Sequence, residues 1–373
     1  MDNKKIIVLY ASVGGGHFKA AEGIKNYILE NHKNCEVQMI DALKYTNKVI
    51  DKIVIKSYVN MAKYSPKMWG EIYKFSEKQY SAANFSNAVQ LILSNKLLSL
   101  LEYEQPDSII STHPFITEMV ASLKKREKFN VELNVIMTDY ASHKFWELKP
   151  EYVDRYFVAN NEMKTGLIFN GIDENKIFVT GIPVNPAFLK EYNKDTIYKE
   201  FNLNPNLKTI LLFGGGEYGL SNVKDFFSSL LSVNQEIQVI AIAGKNAKIQ
   251  KLFKKIADEF DKKVVILGYT TKIPELMKIA DVVISKPGGL TTTEILVSNL
   301  PFIIINPIPG QEEENARFLL NNGTAVRLYN AEKATPFFEN FLKNTVRITH
   351  MKAMQKEIAK PNSTRDIVEK ILS

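Results

Sequence analysis

The chain has 373 residues, 45% of them hydrophobic and 24% charged, with a formal net charge of +7. That length exceeds one ordinary core and predicts two domains. No apolar run reaches the ~18 residues that span a bilayer, and the single cysteine, Cys35, excludes an internal disulfide and fits a reducing cytoplasm.

The N-terminus enters a strand directly, at Ile6-Ile7-Val8-Leu9, with no cleavable signal before it. A glycine triplet follows, Gly14-Gly15-Gly16, then His17 and a helical pattern from about Phe18 to Glu30. A second strand ends at Asp41. Further apolar runs, "DSIIST", "NVIMTD", "RYFVAN" and "KIFVTG", alternate with helical stretches. Near residue 208 the pattern restarts with "KTILLFGGG", a helix from about Val223, and strands in "IQVIAIAG", "KKVVILGY", "ADVVISKPGG" and "LPFIIINP". Strands alternating with helices predict an α/β fold of two parallel sheets covered on both faces. Pro183 and Pro186 mark the connection between the halves. Pro361 breaks a late helical pattern, and a last helix starts after it.

A strand that ends in glycines before a helix lets a ligand approach the backbone, and the helix N-terminus offers N–H groups to an anion. A tight turn with no ligand has the same appearance, but two triplets in corresponding places weaken that explanation. Residues 214–219, "GGGEYG", match a dinucleotide fingerprint, yet the next strand ends "AIAGKN" with no acid for ribose hydroxyls. Neither triplet ends in Gly-Lys-Ser/Thr, so neither is a P-loop. The pattern argues against a redox enzyme and an ATPase. The positive balance favours an anionic partner without selecting nucleotide, nucleic acid or lipid.

The most informative stretch is residues 281–317. A strand ends at Ser285, Lys286-Pro287-Gly288-Gly289 turn, and Thr291-Thr292-Thr293 open a helix whose hydroxyls and N–H groups suit a diphosphate. Glu294, in the first turn, either complements the helix dipole or binds a sugar hydroxyl pair. The polar cluster "PIPGQEEEN" reads as a solvated helix start or as a holder of sugar hydroxyls.

With these motifs the sequence resembles the diacylglycerol glycosyltransferases of the monogalactosyl- and monoglucosyl-diacylglycerol synthase type, including the processive β-glucosyltransferases. These are relatives of the peptidoglycan N-acetylglucosaminyltransferase in glycosyltransferase family 28. The ordered set that carries the resemblance is "SVGGGHFKAA" (12–21), "MTDYASHKFW" (137–146), "FVTGIPVNPAF" (178–188), "FGGGEYG" (213–219), "ISKPGGLTTTE" (284–294) and "PIPGQEEEN" (307–315). The resemblance implies a GT-B architecture of two Rossmann-like domains facing a cleft. Residues 1–188, with a return helix at 362–373, would form the acceptor and membrane domain, and residues 189–361 the UDP-sugar domain. It implies that Gly214, Gly215 and Gly216, with Pro287, Gly288, Gly289, Thr291 and Thr292, face the donor diphosphate. Glu294 would bind the uridine ribose, and Gln311, Glu312 and Asn315 the donor sugar.

The implied reaction is inverting transfer of a hexose, glucose ahead of galactose, from a UDP-sugar to diacylglycerol, with repeated addition as one outcome. His17 is the first candidate for the base, because its ordinary pKa lies near working pH. Asp139 is the second, either as base or orienting His17; a helix cap is its plain alternative. Gly14, Gly15 and Gly16 would form the acceptor or diphosphate loop, with His113 and His143 structural or on the acceptor side. No Asp-x-Asp occurs in the chain, so no metal or other cofactor is expected; helix N-termini and glycine-loop N–H groups would take the diphosphate. The same fold supports other functions: N-acetylglucosamine transfer to a lipid-linked precursor, 2-epimerisation of a UDP-sugar, or non-catalytic UDP-sugar sensing.

A lipid acceptor demands a bilayer surface. Residues 44–100 hold nine lysines against three acids, interleaved with aromatics that include Trp69. Lys48, Lys52 and Lys56 recur every four residues, along one face if helical. Lysines toward headgroups and aromatics at the boundary predict an interfacial segment on the cytoplasmic face of the membrane, with a solvated helix face as the alternative. The expected partners are therefore a UDP-sugar, diacylglycerol and an anionic membrane surface, and no nucleic acid.

Overall fold

The computed structural model describes residues 4–12, 15–46, 83–215, 222–331 and 334–373. Gly14, Gly216 and the segment carrying Lys48, Lys52, Lys56 and Trp69 lie outside the described residues. The chain divides into two compact units, Met1–Pro186 with Pro309–Gln311 and Lys360–Ser373, and Ala187–Ile308 with Glu312–Ala359.

The first unit is built on a six-stranded parallel sheet of order β2-β1-β3-β4-β5-β6. Its strands are β1 (Lys4–Tyr10), β2 (Cys35–Asp41), β3 (Ser108–Ser111), β4 (Glu132–Ile136), β5 (Arg155–Val158) and β6 (Ile177–Val179). The helices between them are α1 (Gly16–Asn31), the short α2 (Ala42–Thr46), α3 (Ala83–Glu104), α4 (Pro114–Lys125) and α5 (Asn161–Phe169). β1 runs through the middle of the core, with Ile6, Ile7, Val8 and Leu9 at 0% exposure; an all-apolar run with no alternation is what a parallel strand covered on both faces requires.

The last helix, α14 (Ser363–Leu372), completes this first core although it comes from the far end of the chain. Ile367, Val368 and Ile371 pack with Ile6, Ile24 and Ile28. Ser363 Oγ donates to the Ile182 carbonyl at 2.7 Å, and Thr364 Oγ1 donates to the Val184 carbonyl at 2.8 Å. Gly181 has φ +89°, and a Cβ there would lie 2.5 Å from Lys360 Cβ. Glycine at this corner thus serves both a left-handed backbone and a close approach.

The second unit holds a parallel sheet of order β12-β11-β10-β7-β8-β9. In chain order it comprises α6 (Lys194–Glu200), β7 (Lys208–Phe213), α7 (Val223–Leu231), β8 (Ile237–Ile242), α8 (Ala247–Ala257), β9 (Lys263–Leu267), α9 (Ile273–Ile279) and β10 (Val282–Ser285). There follow α10 (Gly289–Val297), β11 (Phe302–Ile305), α11 (Gln311–Asn321), β12 (Val326–Leu328), α12 (Ala334–Lys343) and α13 (Thr345–Ile358). Phe227, Phe253 and Phe338 fill the space between sheet and helices. In both sheets the strand order reverses beside the first strand of the half, β1 or β7, and the loops leaving the carboxyl ends there are where open α/β sheets hold ligands.

Candidate active site

In the first unit the loop after β1 leads into α1 through Gly15, which has φ +78° and is the N-cap of the helix. A Cβ at Gly15 would meet nothing within 4 Å, so the backbone conformation, not crowding, calls for glycine here. The N-cap glycine supplies no side-chain cap hydrogen bond, and no acid stands in the first turn. The helix starts at Gly16, two residues earlier than the sequence pattern predicts, which places His17 inside its first turn.

His17 is locked by the ends of two neighbouring strands. Its Nδ1 lies 2.5 Å from the Thr112 carbonyl oxygen and 3.2 Å from Thr138 Oγ1. In return the Thr112 hydroxyl donates to the His17 carbonyl at 3.1 Å. A carbonyl can only accept, so the proton of the neutral ring sits on Nδ1 and Nε2 carries the free lone pair. Burial pushes the His17 pKa down to about 4, against the raising effect of the Thr112 carbonyl. The ring is therefore neutral, and basic at Nε2, across the physiological range.

His113 stands beside it, with ring centroids 4.6 Å apart and planes at 68°. Its Nδ1 accepts from the Phe115 N–H at 3.2 Å and caps α4. Burial first, and the neighbouring His17 second, hold its pKa well below the ordinary 6.5. His143 repeats the device: Nδ1 accepts from the Phe145 N–H at 3.2 Å at the start of the turn Lys144–Glu147. Both are anchored as caps through Nδ1, which leaves the proton of each neutral ring on Nε2. Asp139 lies three residues past the end of β4 and directly follows Thr138, the residue that reaches His17.

In the second unit Gly214 directly follows β7, and its N–H donates to the Ile242 carbonyl at 2.7 Å. A Cβ there would stand 3.0 Å from that carbonyl and 3.2 Å from Phe253 Cε2. Close packing of β7 against β8 and α8 accounts for this glycine; Gly215 has φ +86°. The turn after β10 is pinned to the start of α11. Asn315, fully buried, donates through Nδ2 to the Pro287 carbonyl at 3.0 Å. Glu312 Oε2 accepts from the Ile308 N–H at 2.7 Å, and Glu312 Oε1 lies 3.8 Å from where a Cβ of Gly288 would be. Gly288 caps α10, so the helix opens at Gly289 and the threonines fall inside its first turns. Thr293 Oγ1 donates to the Gly289 carbonyl at 2.9 Å, while the buried Thr292 hydroxyl has no hydrogen-bond partner among the described residues. Thr291 and Glu294 are partly exposed on the same helix, and Gln311 opens α11.

Two positions in this geometry are given no role in the sequence reading: Thr112 and Thr138. Both could be found as the residues just before His113 and Asp139 at strand ends. Among the described residues no group of three or more His, Cys, Asp or Glu side chains could hold a metal ion, and no helix is long and apolar enough to cross a membrane.

Residues 17–184 match the family model of monogalactosyldiacylglycerol (MGDG) synthase, and residues 209–371 that of the glycosyltransferase family 28 C-terminal domain. The chain is 30% identical over 377 residues to a processive diacylglycerol beta-glucosyltransferase of Bacillus licheniformis, covering 99% of this chain and 95% of that protein. The chain belongs to the diacylglycerol glycosyltransferase family. A second member of the family, from Bacillus subtilis, is 30% identical over 371 residues, with the same coverage. Among solved structures the fold is similar to MurG of Acinetobacter baumannii, with TM-score 0.67 and 14% identity over 99% of both chains. It is also similar to a UDP-GlcNAc 2-epimerase from Neisseria meningitidis bound to UDP-GlcNAc, with TM-score 0.65 and 16% identity over 99% of both chains. The family membership and these neighbours establish the GT-B fold: two Rossmann-like domains, each on a parallel sheet.

Proposed function

We propose that this family member transfers glucose from UDP-glucose to diacylglycerol with inversion at the anomeric carbon. The observation that carries the chemistry is the locked His17, neutral at working pH with Nε2 free to accept a proton. The acceptor O–H gives its proton to Nε2 as the oxygen forms its bond to the anomeric carbon. The bond from that carbon to the diphosphate oxygen breaks on the opposite side, and its electron pair leaves with UDP. Thr112 and Thr138 position the ring, and Asp139 lies beside them on the acceptor side with Gly15 and Gly16.

The turn Pro287–Gly289 and the N–H groups of α10 receive the diphosphate, with Gly214 and Gly215 lining the same carboxyl edge of the sheet. Glu294 takes the ribose hydroxyls, and Gln311, Glu312 and Asn315 lie on the sugar side. The reaction as proposed uses no metal, in keeping with a chain that lacks Asp-x-Asp. The enzyme works as a peripheral protein on the cytoplasmic face of the membrane, held by the lysines at 48, 52 and 56 and by Trp69.

Purified protein incubated with diacylglycerol vesicles and either UDP-glucose or UDP-galactose tests this reading. Glucosyl-diacylglycerol found by mass detection, with stoichiometric UDP, is the expected result. A galactolipid would correct the donor, and UDP-sugar conversion without any glycolipid would overturn transfer itself.

A further inference from the structure

Two imidazoles meet where β1 and β3 deliver their loops: His17 in the first turn of α1 and His113 at the N-cap of α4. Their ring centroids lie 4.6 Å apart with the planes at 68°, and both side chains are partly exposed. The proposed reaction uses only His17. His113 has a plain structural task, since its Nδ1 accepts from the Phe115 N–H at 3.2 Å and so caps α4. That task employs one nitrogen. Serine, threonine, aspartate and asparagine are the residues helices prefer at an N-cap, so capping alone does not call for an imidazole.

The two rings hold opposite tautomers. His17 gives its Nδ1 proton to the Thr112 carbonyl, so its Nε2 is an acceptor. His113 accepts at Nδ1, so its Nε2 carries the hydrogen and is a donor. Burial keeps both rings neutral at working pH, which preserves the two tautomers. Among the described residues neither Nε2 has a hydrogen-bond partner, and neither is a buried atom left without one, so both stay open to solvent. Neighbouring rings thus present one acceptor and one donor at adjoining strand ends. A hydroxyl satisfies both at once: its O–H donates to His17, one oxygen lone pair accepts from His113, and the second lone pair is free to attack. An ammonium has no lone pair for His113, and a carboxylate has no proton for His17.

We propose that the Nε2–H of His113 binds the acceptor hydroxyl oxygen of diacylglycerol, so that the two histidines clamp one O–H between them. This rests on the transfer reading above and adds the residue that orients the nucleophile. His17 takes the proton, the free lone pair forms the bond to the anomeric carbon, and the electron pair of the broken bond leaves with UDP. His113 keeps its own proton throughout. Its hydrogen bond strengthens as negative charge collects on the attacking oxygen.

Two variants divide the nitrogens of His113 between them. His113→Asn keeps a short cap acceptor for the Phe115 N–H and has no donor as far out as Nε2. His113→Gln carries an N–H donor at about the reach of Nε2 and gives up the short cap. Kinetics with diacylglycerol vesicles of varied surface concentration, UDP affinity by calorimetry and thermal midpoints are measured on both. His113→Asn should lose roughly 3- to 10-fold in kcat/KM for the acceptor, the range for one neutral hydrogen bond, with the parent's thermal midpoint and UDP affinity within about twofold. His113→Gln should have the lower midpoint yet the better acceptor kcat/KM of the two. Acceptor kcat/KM that instead follows the midpoint, with His113→Gln at least as impaired as His113→Asn, would assign the residue to the helix cap and overturn the proposal. Acceptor kinetics in His113→Asn equal to the parent's would also overturn it. A parent protein that forms no glycolipid would sink the transfer reading itself, before any variant is compared.

Discussion

His17 Nδ1 and the Thr112 carbonyl oxygen lie 2.5 Å apart, which joins the first turn of α1 to the end of β3 and decides which ring nitrogen is basic. The bond needs no carboxylate. It places the proton on Nδ1, and burial keeps the second proton off until the acid range.

The pH dependence follows from that shift. With a pKa near 4 instead of 6.5, the base form of His17 is present throughout the neutral range. The value of kcat/KM should rise with pH through an acid limb near pH 4 to 5 and show no inflection near 6.5. Stability has the matching sign: between 6.5 and about 4 the unfolded chain takes up a proton that the folded His17 refuses. The stabilisation is complete above 6.5 and is lost as pH falls through the folded value. A rate profile that loses half its height near pH 6.5 would contradict this.

Glu294→Ala should weaken UDP binding. A charged acceptor of sugar hydroxyls contributes about 1.5–3 kcal/mol, or roughly 10- to 150-fold in affinity. Calorimetry that gives the parent's UDP affinity would remove Glu294 from the ribose site.

Gly181→Ala should destabilise the first unit by roughly 2–4 kcal/mol, through left-handed backbone and the contact with Lys360. Urea unfolding followed by tryptophan fluorescence should show a lower midpoint. Gly15→Ala, strained in φ yet facing open space, should lose less.

Changing Lys48, Lys52 and Lys56 together to Glu should reduce co-sedimentation with anionic vesicles and glycolipid synthesis, with UDP affinity intact. High salt should mimic the change. A triple variant that sediments like the parent would move the docking surface elsewhere.

Much of this molecule is legible in its sequence because parallel α/β folds write themselves as apolar runs and glycine turns. Ile6–Leu9 could hardly be anything but a strand covered on both faces, and Pro361 marks where the chain leaves the second unit for α14. The two compact units divide after Pro186 and after Ala359, with Pro309–Gln311 grouped with the first unit. The supports of the site were not legible. Thr112 and Thr138 matter through a carbonyl and a hydroxyl at adjacent strand ends, and parallel strand order is a long-range property no local pattern encodes. Gly214 shows the converse: a motif glycine whose Cβ would collide with β8 and α8, so packing explains it as well as a ligand does.

The most direct measurement of the central claim is turnover of His17→Ala with UDP-glucose and diacylglycerol vesicles, read as glucolipid by mass alongside UDP affinity by calorimetry. The account predicts a rate lower by roughly 10²- to 10⁴-fold with UDP affinity within about twofold of the parent. A variant that makes glucolipid at the parent's rate would contradict it and move the proton to another group, Asp139 first.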